Sequence, residues 1–286
     1  MTGTSSPSSS PLAPQDLLRH LDDGQLWPEP RDSAAWPDLP SAYQAALAVR
    51  ALRIARGERP AGFKIGFTNR TIWERYAVFA PIWGTVWDST VSHADANGTG
   101  TLELNALAQP RLEPEVVFGL RATPPRSLRA TPPRSPTLEQ LFDCVDWLAA
   151  GFEIVQSHCK DWKFSAAETV ADSGLHGRLL VGPTTPVRDL AGSGEALDDL
   201  LAGLGVRLWC GERKVDEGVG RNVLDGPLHA LLHFVQEMQE LPDSPDLVDG
   251  DIVTTGTWTD AWPVKAGEQW RSDFDAPLRG LRVSFR

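Results

Sequence analysis

Three glutamates in segments that are typical of buried strands constrain this chain more than any other feature. Glu113 and Glu115 lead into Val116-Val117-Phe118, and Glu153 leads into Ile154-Val155. Because strand side chains alternate between two faces, Glu113 and Glu115 should point the same way. Carboxylates beside an apolar core require protonation, a positive partner or a metal ion. Oxygen ligands without His or Cys suit a hard cation, so the three acids predict a Mg²⁺ or Mn²⁺ site, the alternative being a solvated strand face.

Lys64 is the second unusual residue, because it lies inside the apolar segment Gly62-Phe63-Lys64-Ile65-Gly66. One interpretation is a long side chain whose ammonium reaches water at the end of a strand. The other is an amine that binds an anion or transfers a proton, and this catalytic role is the one that we predict for Lys64.

Two later segments add polar residues next to glycines. Asp172 stands between an apolar run and Gly174, and Thr255 precedes Gly256 after a short apolar segment. An ordinary turn would explain either residue on its own. The order of all the motifs along the chain, rather than any one of them, carries the functional argument.

That order resembles the fumarylacetoacetate hydrolase superfamily, and most closely its 2-keto-4-pentenoate hydratase branch, over about residues 41–286. The resemblance implies an α+β fold, in which a small N-terminal helical region precedes the mixed-strand β-roll of the family's C-terminal type. It also implies that the three glutamates bind a divalent cation and that Lys64 and Asp172 line the same pocket. Thr255 is then a candidate hydrogen-bond partner of the substrate.

The chain departs from these hydratases at three places. Ile82 stands where they carry an acidic residue, Gln156-Ser157-His158 replaces Asp-Ser-Arg, and Ser173 replaces Asn. A residue proposed for acid–base catalysis is therefore absent, and His158 becomes the candidate substrate contact in place of an arginine. These changes affect the identity of the reaction more than they affect metal binding.

The resemblance predicts a metal-dependent hydratase that adds water to a 2-hydroxy-2,4-dienoate and gives a 4-hydroxy-2-oxo acid, as in the catabolism of aromatic compounds. Two alternatives from the same superfamily stay open: decarboxylation of a 2-oxo-3-enedioate, and hydrolysis of an acylpyruvate C–C bond with His158 as the base. A catalytically silent metal-binding homologue is a further alternative. A silent homologue, however, has no need to keep three mutually repelling carboxylates and a lysine.

The net charge of −11 argues against nucleic-acid binding, which requires a basic surface. The expected partner is a small anionic 2-oxo acid, held by Lys64 and the cation. No segment is long and apolar enough to span a membrane, and the N-terminus lacks the pattern of a secretory signal. Three cysteines without C-x-x-C spacing fit a reducing compartment. We expect a cytoplasmic protein, and we also expect a homo-oligomer.

The sequence also predicts how the chain is divided. Residues 1–14 are rich in Ser, Thr and Pro and predict a disordered tail. An N-terminal helical region is expected over 15–60 and the metal-binding β-roll domain over 61–286. Helices are predicted over 15–22, 41–56 with Ser41 as the N-cap, 69–76, 138–149 and 223–238, and strands return over 249–285 with a closing hairpin near 267–274.

A short repeat lies between the first two glutamates and the third. The sequence Arg-Ala-Thr-Pro-Pro-Arg-Ser occurs at 121–127 and again at 129–135. Because paired prolines fit neither a helix nor a strand ladder, the repeat predicts an exposed, expanded loop over 121–136.

Overall fold

Two mixed sheets and several short helices form the part of the chain that the computed structural model describes, which is residues 11–31, 35–76, 78–79, 81–125, 136–241 and 243–286. The α-helices are Pro14–Asp23 (α1), Leu39–Ala55 (α2), Trp73–Tyr76 (α3), Leu138–Cys144 (α4), Ala166–Ala171 (α5), Gly194–Gly203 (α6) and Pro227–Glu240 (α7). The strands are Pro60–Gly66 (β1), Ile82–Trp87 (β2), Val91–His93 (β3), Thr99–Leu102 (β4), Arg111–Leu120 (β5), Val145–Val155 (β6), His176–Val181 (β7), Thr185–Pro186 (β8), Gly205–Cys210 (β9), Arg213–Val219 (β10), Ile252–Thr254 (β11), Trp262–Pro263 (β12), Gln269–Phe274 (β13) and Leu281–Phe285 (β14).

The larger sheet has the order β2-β1-β11-β5-β6-β7-β3, with β12 beside β5 and β8 beside β6. It mixes directions, because β1 pairs with β11 in parallel and with β2 antiparallel. The smaller sheet has the order β10-β9-β13-β14-β4, in which β13 and β14 form an antiparallel hairpin. The predicted α+β class with mixed strands is confirmed, and the predicted segment 267–274 contains the first strand of that hairpin.

The register between β5 and β6 brings the three glutamates to one face of the larger sheet. Glu113 pairs with Glu153, and Glu115 pairs with Gly151. Since strand side chains alternate, Glu113 and Glu115 share a face, and so does the partner of Glu113. The predicted orientation of the two β5 acids is therefore confirmed.

The opposite face of this sheet packs into the main apolar core. Phe63 of β1 lies there with its ring 5.5 Å from that of Phe234 in α7, and Phe152 of β6 is fully buried in the same core. Burial of each such side chain contributes about 1.5–3 kcal/mol to folding. This core fixes which side of β1, β5 and β6 can carry polar groups.

Pro114 lies in the middle of β5, where a central strand would normally exclude it. Both β11 and β12 pair with the same edge of β5. β11 lies opposite Val117 and β12 lies opposite Leu112, and the residues between these two strands, 255–261, leave the sheet beside Pro114. The missing N–H of Pro114 therefore breaks no ladder, and its carbonyl accepts a bond from Trp258 N at 3.2 Å. The break in pairing opens the sheet beside Glu113 and Glu115.

The predicted cap of α2 is wrong. The helix begins at Leu39 with Asp38 as its N-cap, because the carboxylate of Asp38 accepts a hydrogen bond from Ser41 N at 2.8 Å. Ser41 instead occupies the first turn, after Pro40, which suits the start of a helix. The other N-terminal helix, α1, confirms the prediction over 15–22 with one added residue at each end.

The helix predicted over 138–149 ends early. α4 stops at Cys144, and Val145 starts β6, where Leu148 pairs with Phe118 of β5. The apolar spacing suited a helix, but pairing with the central strand of the sheet overrides that local preference.

The helix predicted over 223–238 starts four residues late. Leu224 and Asp225 have φ values of 50° and 76°, which no helix accommodates, and α7 begins at Pro227. The predicted helix over 69–76 forms as a 3₁₀ turn that Asn69 caps, followed by α3.

Two predictions fall wholly or partly outside the described residues. They are the disordered tail, of which residues 1–10 are not described, and the exposed loop, of which residues 126–135 are not described. Among the residues that the structure does describe, no helix has the length and apolar character needed to cross a membrane.

Candidate metal centre

The side chains of Glu113, Glu115 and Glu153 form one cluster. One carboxylate oxygen from each lies within 4.8 Å of the others, Glu115 and Glu153 are fully buried, and Glu113 is half-buried. Oε1 of Glu115 and Oε2 of Glu153 accept no hydrogen bond from the described residues. Buried oxygens without a donor are costly unless a cation contacts them, so this all-oxygen set fits a hard divalent metal ion.

The three carboxyl groups cannot easily ionise together. Burial raises the pKa of Glu113 to about 7, although the charge of Lys64 opposes this shift. Burial, with the charges of Glu153 and Glu113, raises the pKa of Glu115 well above its usual range. A metal ion can bind only when such carboxyls release their protons, so metal binding here would be accompanied by proton release.

Lys64 supplies the positive charge within this cluster. Its side chain is 2% exposed, and its Nζ lies 3.4 Å from Oε2 of Glu153. Burial opposes ionisation, but Glu153, Glu113 and Glu115 together raise the pKa of Lys64, so the amine is charged. The ammonium does not reach solvent, which excludes the snorkelling interpretation. Gly66 leaves space for it, because a Cβ there would lie 3.3 Å from Nζ.

His176 is a member of the site that the sequence analysis missed. Its Nδ1 lies 2.9 Å from Oε1 of Glu153, and its Nε2 lies 2.8 Å from the hydroxyl of Thr90. Burial lowers the pKa of His176, so we assign a neutral ring that donates from Nδ1 to Glu153 and whose Nε2 faces the hydroxyl of Thr90. Burial also opposes the ionisation of Glu153, but Lys64 and His176 outweigh it and lower the pKa of that carboxyl.

No local motif marks His176 in the sequence. It follows Leu175 at the start of β7, and its partner Thr90 lies 86 residues earlier. The single signal is an ionisable residue at the start of an apolar strand, which is too common to select one histidine.

Gly256 holds Glu115 in place from the segment that leaves the sheet. Its N–H donates to Oε2 of Glu115 at 2.7 Å, its φ is 98°, and a Cβ there would lie 1.7 Å from Oγ1 of Thr68. Only glycine fits this position. The neighbouring Thr255, predicted to contact substrate, donates its hydroxyl to the carbonyl of Val116 at 2.9 Å, so the fold uses that hydrogen.

Asp172 and His158, both predicted site residues, pair with each other. Oδ1 of Asp172 lies 2.6 Å from Nδ1 of His158, and Oδ2 accepts from the backbone N–H of the same residue at 2.8 Å. The His158 ring stacks on Trp27 with a centroid distance of 6.4 Å. Burial opposes but Asp172 raises the pKa of His158. The geometry thus assigns Asp172 to His158, whereas the acid in contact with Lys64 is Glu153.

An apolar wall faces Lys64 and Glu113 across a narrow cavity of about 20 Å³. Its aromatic members touch edge to face, with ring centroids 6.1 Å apart for Phe67 and Phe164 and 6.0 Å apart for Trp162 and Phe164. The other lining residues are Gly66, Thr68, Asn69, Ile72, Val155, Leu175, Gly256, Thr257 and Ala261.

Three of the wall residues have left-handed backbones. The φ values are 54° at Phe67, 58° at Trp162 and 65° at Leu175. Such conformations cost about 1–3 kcal/mol each for residues with a side chain and cluster at functional sites. Three such residues around one cavity make it a candidate functional site.

The comparisons with known proteins bear on the fold and on the family resemblance. No protein-family model matches the chain. The chain is 29% identical to 2-keto-4-pentenoate hydratase of Paraburkholderia xenovorans (strain LB400) over 265 residues, which is 92% of this chain and 90% of that protein.

Solved structures show the same fold. 4-Oxalocrotonate decarboxylase from Pseudomonas putida G7, complexed with magnesium and adipate, gives a TM-score of 0.78 at 21% identity over 97% of this chain and all of that one. Fumarylpyruvate hydrolase from Pseudomonas aeruginosa, in complex with Mn²⁺ and pyruvate, gives 0.59 at 16% identity over 79% of this chain and 89% of that one. The β-roll fold and the resemblance to the fumarylacetoacetate hydrolase superfamily, in its 2-keto-4-pentenoate hydratase-like branch, are confirmed.

Proposed function

We propose that this chain of the 2-keto-4-pentenoate hydratase-like branch is a divalent-metal-dependent hydratase that converts a 2-hydroxy-2,4-dienoate into a 4-hydroxy-2-oxo acid. One observation carries the proposal: three clustered glutamates, two of them fully buried and each with an oxygen that accepts no hydrogen bond, lie beside a charged and buried lysine. The likeness to a hydratase over nine-tenths of both chains supports the reaction type.

The ion that we propose is Mg²⁺ or Mn²⁺, held by Glu113, Glu115 and Glu153. The all-carboxylate donor set supports a hard cation, and two structural relatives are complexed with magnesium and with Mn²⁺. When bound, such an ion supplies a Lewis acid that stabilises negative charge on the 2-oxygen of the substrate. Oε1 of Glu153 would stay with His176, which leaves Oε2 to face the ion.

Lys64 binds the substrate carboxylate in this proposal. Its ammonium is fixed by Glu153 and excluded from water, so it interacts with an anion more strongly than a surface lysine would. The dienol loses its 2-hydroxyl proton and gains one at C5, which gives a 2-oxo-3-enoate. Water then adds its oxygen at C4 and its hydrogen at C3. Lys64 is the group beside the cavity that could carry these protons, since Glu113 would be deprotonated and bound to the ion.

The apolar wall favours hydration over the decarboxylation of an enedioate. A 2-oxo-3-enedioate carries a second carboxylate at its far end and needs a second cation there. Among the described lining residues, the cationic one is Lys64, and Phe67, Trp162 and Phe164 are the aromatic ones. The guanidinium of Arg111 lies over the ring of Trp162 at 4.1 Å but does not line the cavity. A hydrocarbon tail fits this wall.

The C–C hydrolase alternative is less compatible with the site. It needs a histidine that activates water, and the candidate was His158. His158 is fully buried, its Nδ1 is occupied by Asp172, and it does not line the cavity.

The cavity of about 20 Å³ is far smaller than the several hundred Å³ of a typical ligand pocket. Substrate binding therefore requires the wall of Phe67 and Phe164 to move aside; Phe67 itself and Trp162, two residues before Phe164, have left-handed backbones.

The decisive experiment is product analysis. Freshly generated 2-hydroxypenta-2,4-dienoate is supplied with Mg²⁺ or Mn²⁺, and the products are followed by ¹³C NMR together with the loss of dienol absorbance. We expect a 4-hydroxy-2-oxo acid that retains every substrate carbon, and no turnover in excess chelator. With a 2-oxo-3-enedioate as the substrate, release of CO₂ at a higher kcat/KM would replace the hydratase proposal by a decarboxylase.

A further inference from the structure

A second cavity, of about 310 Å³, lies on the other side of His176 from the metal centre. Its positively charged lining residues are Arg53, Arg56 and Arg178, and its negatively charged ones are Asp22 and Glu58. These residues come from α1, α2, the connection to β1, and β7. The cavity is therefore built by the N-terminal helices closing over the start of β7.

Two of the arginines are already neutralised. Arg56 pairs bidentately with Asp22 at 2.6 and 2.8 Å and also contacts Glu58. Arg53 donates from Nε to Glu58 at 3.0 Å and stacks over the ring of Trp87 at 4.4 Å. Both acids are consumed by these pairs.

Arg178 is left without an acid. It is half-buried, and among the described residues it donates a single long bond of 3.4 Å to the carbonyl of Gly177. Burial and the charge of Arg53 lower the pKa of Arg178, so the two guanidinium groups repel each other inside the cavity. Three cations against two anions leave one unmatched positive charge.

A bulge in β7 places Arg178 in this position. His176 pairs with Val155 and Arg178 pairs with Ile154, which are adjacent residues on opposite faces of β6. The shift occurs at Gly177, where a Cβ would lie 2.5 Å from the carbonyl oxygen of Ile154. His176 can then reach Glu153 while Arg178 turns into the second cavity.

We propose that this second cavity, lined by Arg53, Arg56 and Arg178, binds the carboxylate of a small organic acid through the guanidinium of Arg178. A planar guanidinium matches a carboxylate with two parallel N–H···O bonds, and one negative charge balances the cavity. The volume accommodates an acid of a few carbon atoms. None of the three arginines is a metal ligand or lines the cavity beside Lys64 and Glu113, and the link to the metal centre runs through His176, which lines the second cavity and contacts Glu153.

The test uses trifluoroacetate as the probe, in ¹⁹F NMR titrations of the metal-free full-length protein. We expect saturable binding in the millimolar range. Arg178→Met should abolish it, and Arg178→Lys, which keeps the charge but loses the two-pronged geometry, should weaken it roughly tenfold. The control Arg207→Met, which removes an exposed arginine paired with Asp275, should bind like the parent. Lys64→Met, which removes the cation of the metal cavity, tests whether the probe binds there instead.

Circular dichroism of each variant separates loss of the site from loss of the fold. If Arg178→Met does not fold, the binding test uses Arg178→Lys alone. The proposal is overturned if trifluoroacetate does not saturate, if Arg178→Lys binds like the parent, or if Lys64→Met abolishes binding. Inorganic phosphate that displaces the probe at a tenfold lower concentration would overturn the carboxylate assignment. The proposal is also overturned if the parent does not bind the probe and Arg178→Met changes the oligomer mass. In that case the cavity is a contact between copies of the chain.

Discussion

The cavity beside Lys64 and Glu113 (the metal cavity) and the cavity lined by Arg53, Arg56 and Arg178 (the arginine cavity) differ in the charged groups around them. The metal cavity is lined by Lys64 and by Glu113, which clusters with Glu115 and Glu153, whereas the arginine cavity holds three guanidinium groups against two carboxylates. The first is nearly closed at about 20 Å³, and the second has about 310 Å³. Low exposure makes each unmatched charge expensive in the first cavity, while water can solvate part of the excess in the second.

Because of this difference, the two cavities should respond differently to mutation. Buried carboxylates without donors are tolerated at a functional site when an ion completes them, so the metal cavity should lose its function when one acid or the lysine is removed. The arginine cavity remains stable without a ligand and should affect the metal centre only through His176. The following variants test that separation.

The largest effect is expected for Lys64→Met. Removal of the buried ammonium should lower turnover on a 2-hydroxy-2,4-dienoate by about two to four orders of magnitude, the span typical for loss of one acid–base or charge-stabilising group. Affinity for Mn²⁺ should not fall, because Lys64 repels a cation from Oε2 of Glu153. Steady-state kinetics and calorimetry measure both quantities, with the exposed Lys265→Met as the control. Parent-like turnover in Lys64→Met would exclude Lys64 from the chemistry.

Glu153→Gln should reduce Mn²⁺ affinity by about a hundredfold or more, since even a residue that only orients a ligand changes affinity by about 10–100-fold. The amide keeps the size of the side chain but removes the charge between Lys64 and His176. Calorimetric titration measures the change, and the exposed Glu217→Gln should bind as the parent does. An unchanged affinity in Glu153→Gln would refute the three-glutamate site.

His176→Phe tests the contact between the cavities. Loss of the Nδ1 donor should raise the pKa of Glu153 toward that of an unpaired buried acid, so that a proton competes with the metal at neutral pH. We expect a loss of about 10–100-fold in Mn²⁺ affinity, partly restored in His176→Gln, whose amide can still donate. If both variants fall equally, the ring itself rather than its hydrogen bond holds Glu153.

The smallest effect is expected for a change that involves neither cavity. Deletion of residues 128–135 removes one copy of the repeated sequence that follows β5. We predict a change in melting temperature of at most a few degrees and no change in turnover or metal affinity, because paired prolines are incompatible with the sheet. A larger loss in a thermal melt would assign this segment to the folded core.

The metal cavity was largely predictable from the sequence because its residues follow a local rule. Alternation in β5 placed Glu113 and Glu115 on one face, and a lysine between two apolar residues marked β1. The roles of the flanking residues were less accessible. Thr255 donates its hydroxyl to the backbone, and Asp172 holds His158, because these bonds depend on where the chain returns after leaving the sheet.

The arginine cavity could not be predicted in the same way. Arg53 and Arg178 are 125 positions apart in the sequence, and a bulge at Gly177 decides which side of the strand Arg178 occupies. The prediction of the boundary between α4 and β6 was wrong for a related reason, since Val145 pairs with Leu120 of β5, a strand from another part of the chain. Local patterns specify faces and charges, whereas contacts between remote elements specify pairing.

The register of β5 against β6 also determines where this protein can change in length during evolution. A shift of β5 by one residue against β6 would turn both β5 acids toward the apolar core and bring Pro114 and Val116 to the metal side, and an insertion between Glu113 and Glu115 would place them on opposite faces. Even a change of two residues would separate Glu113 from its partner Glu153. The tandem copy at 121–135 begins just after Leu120, where β5 has ended. Duplications can therefore accumulate there, while the strand that carries the acids must keep its length.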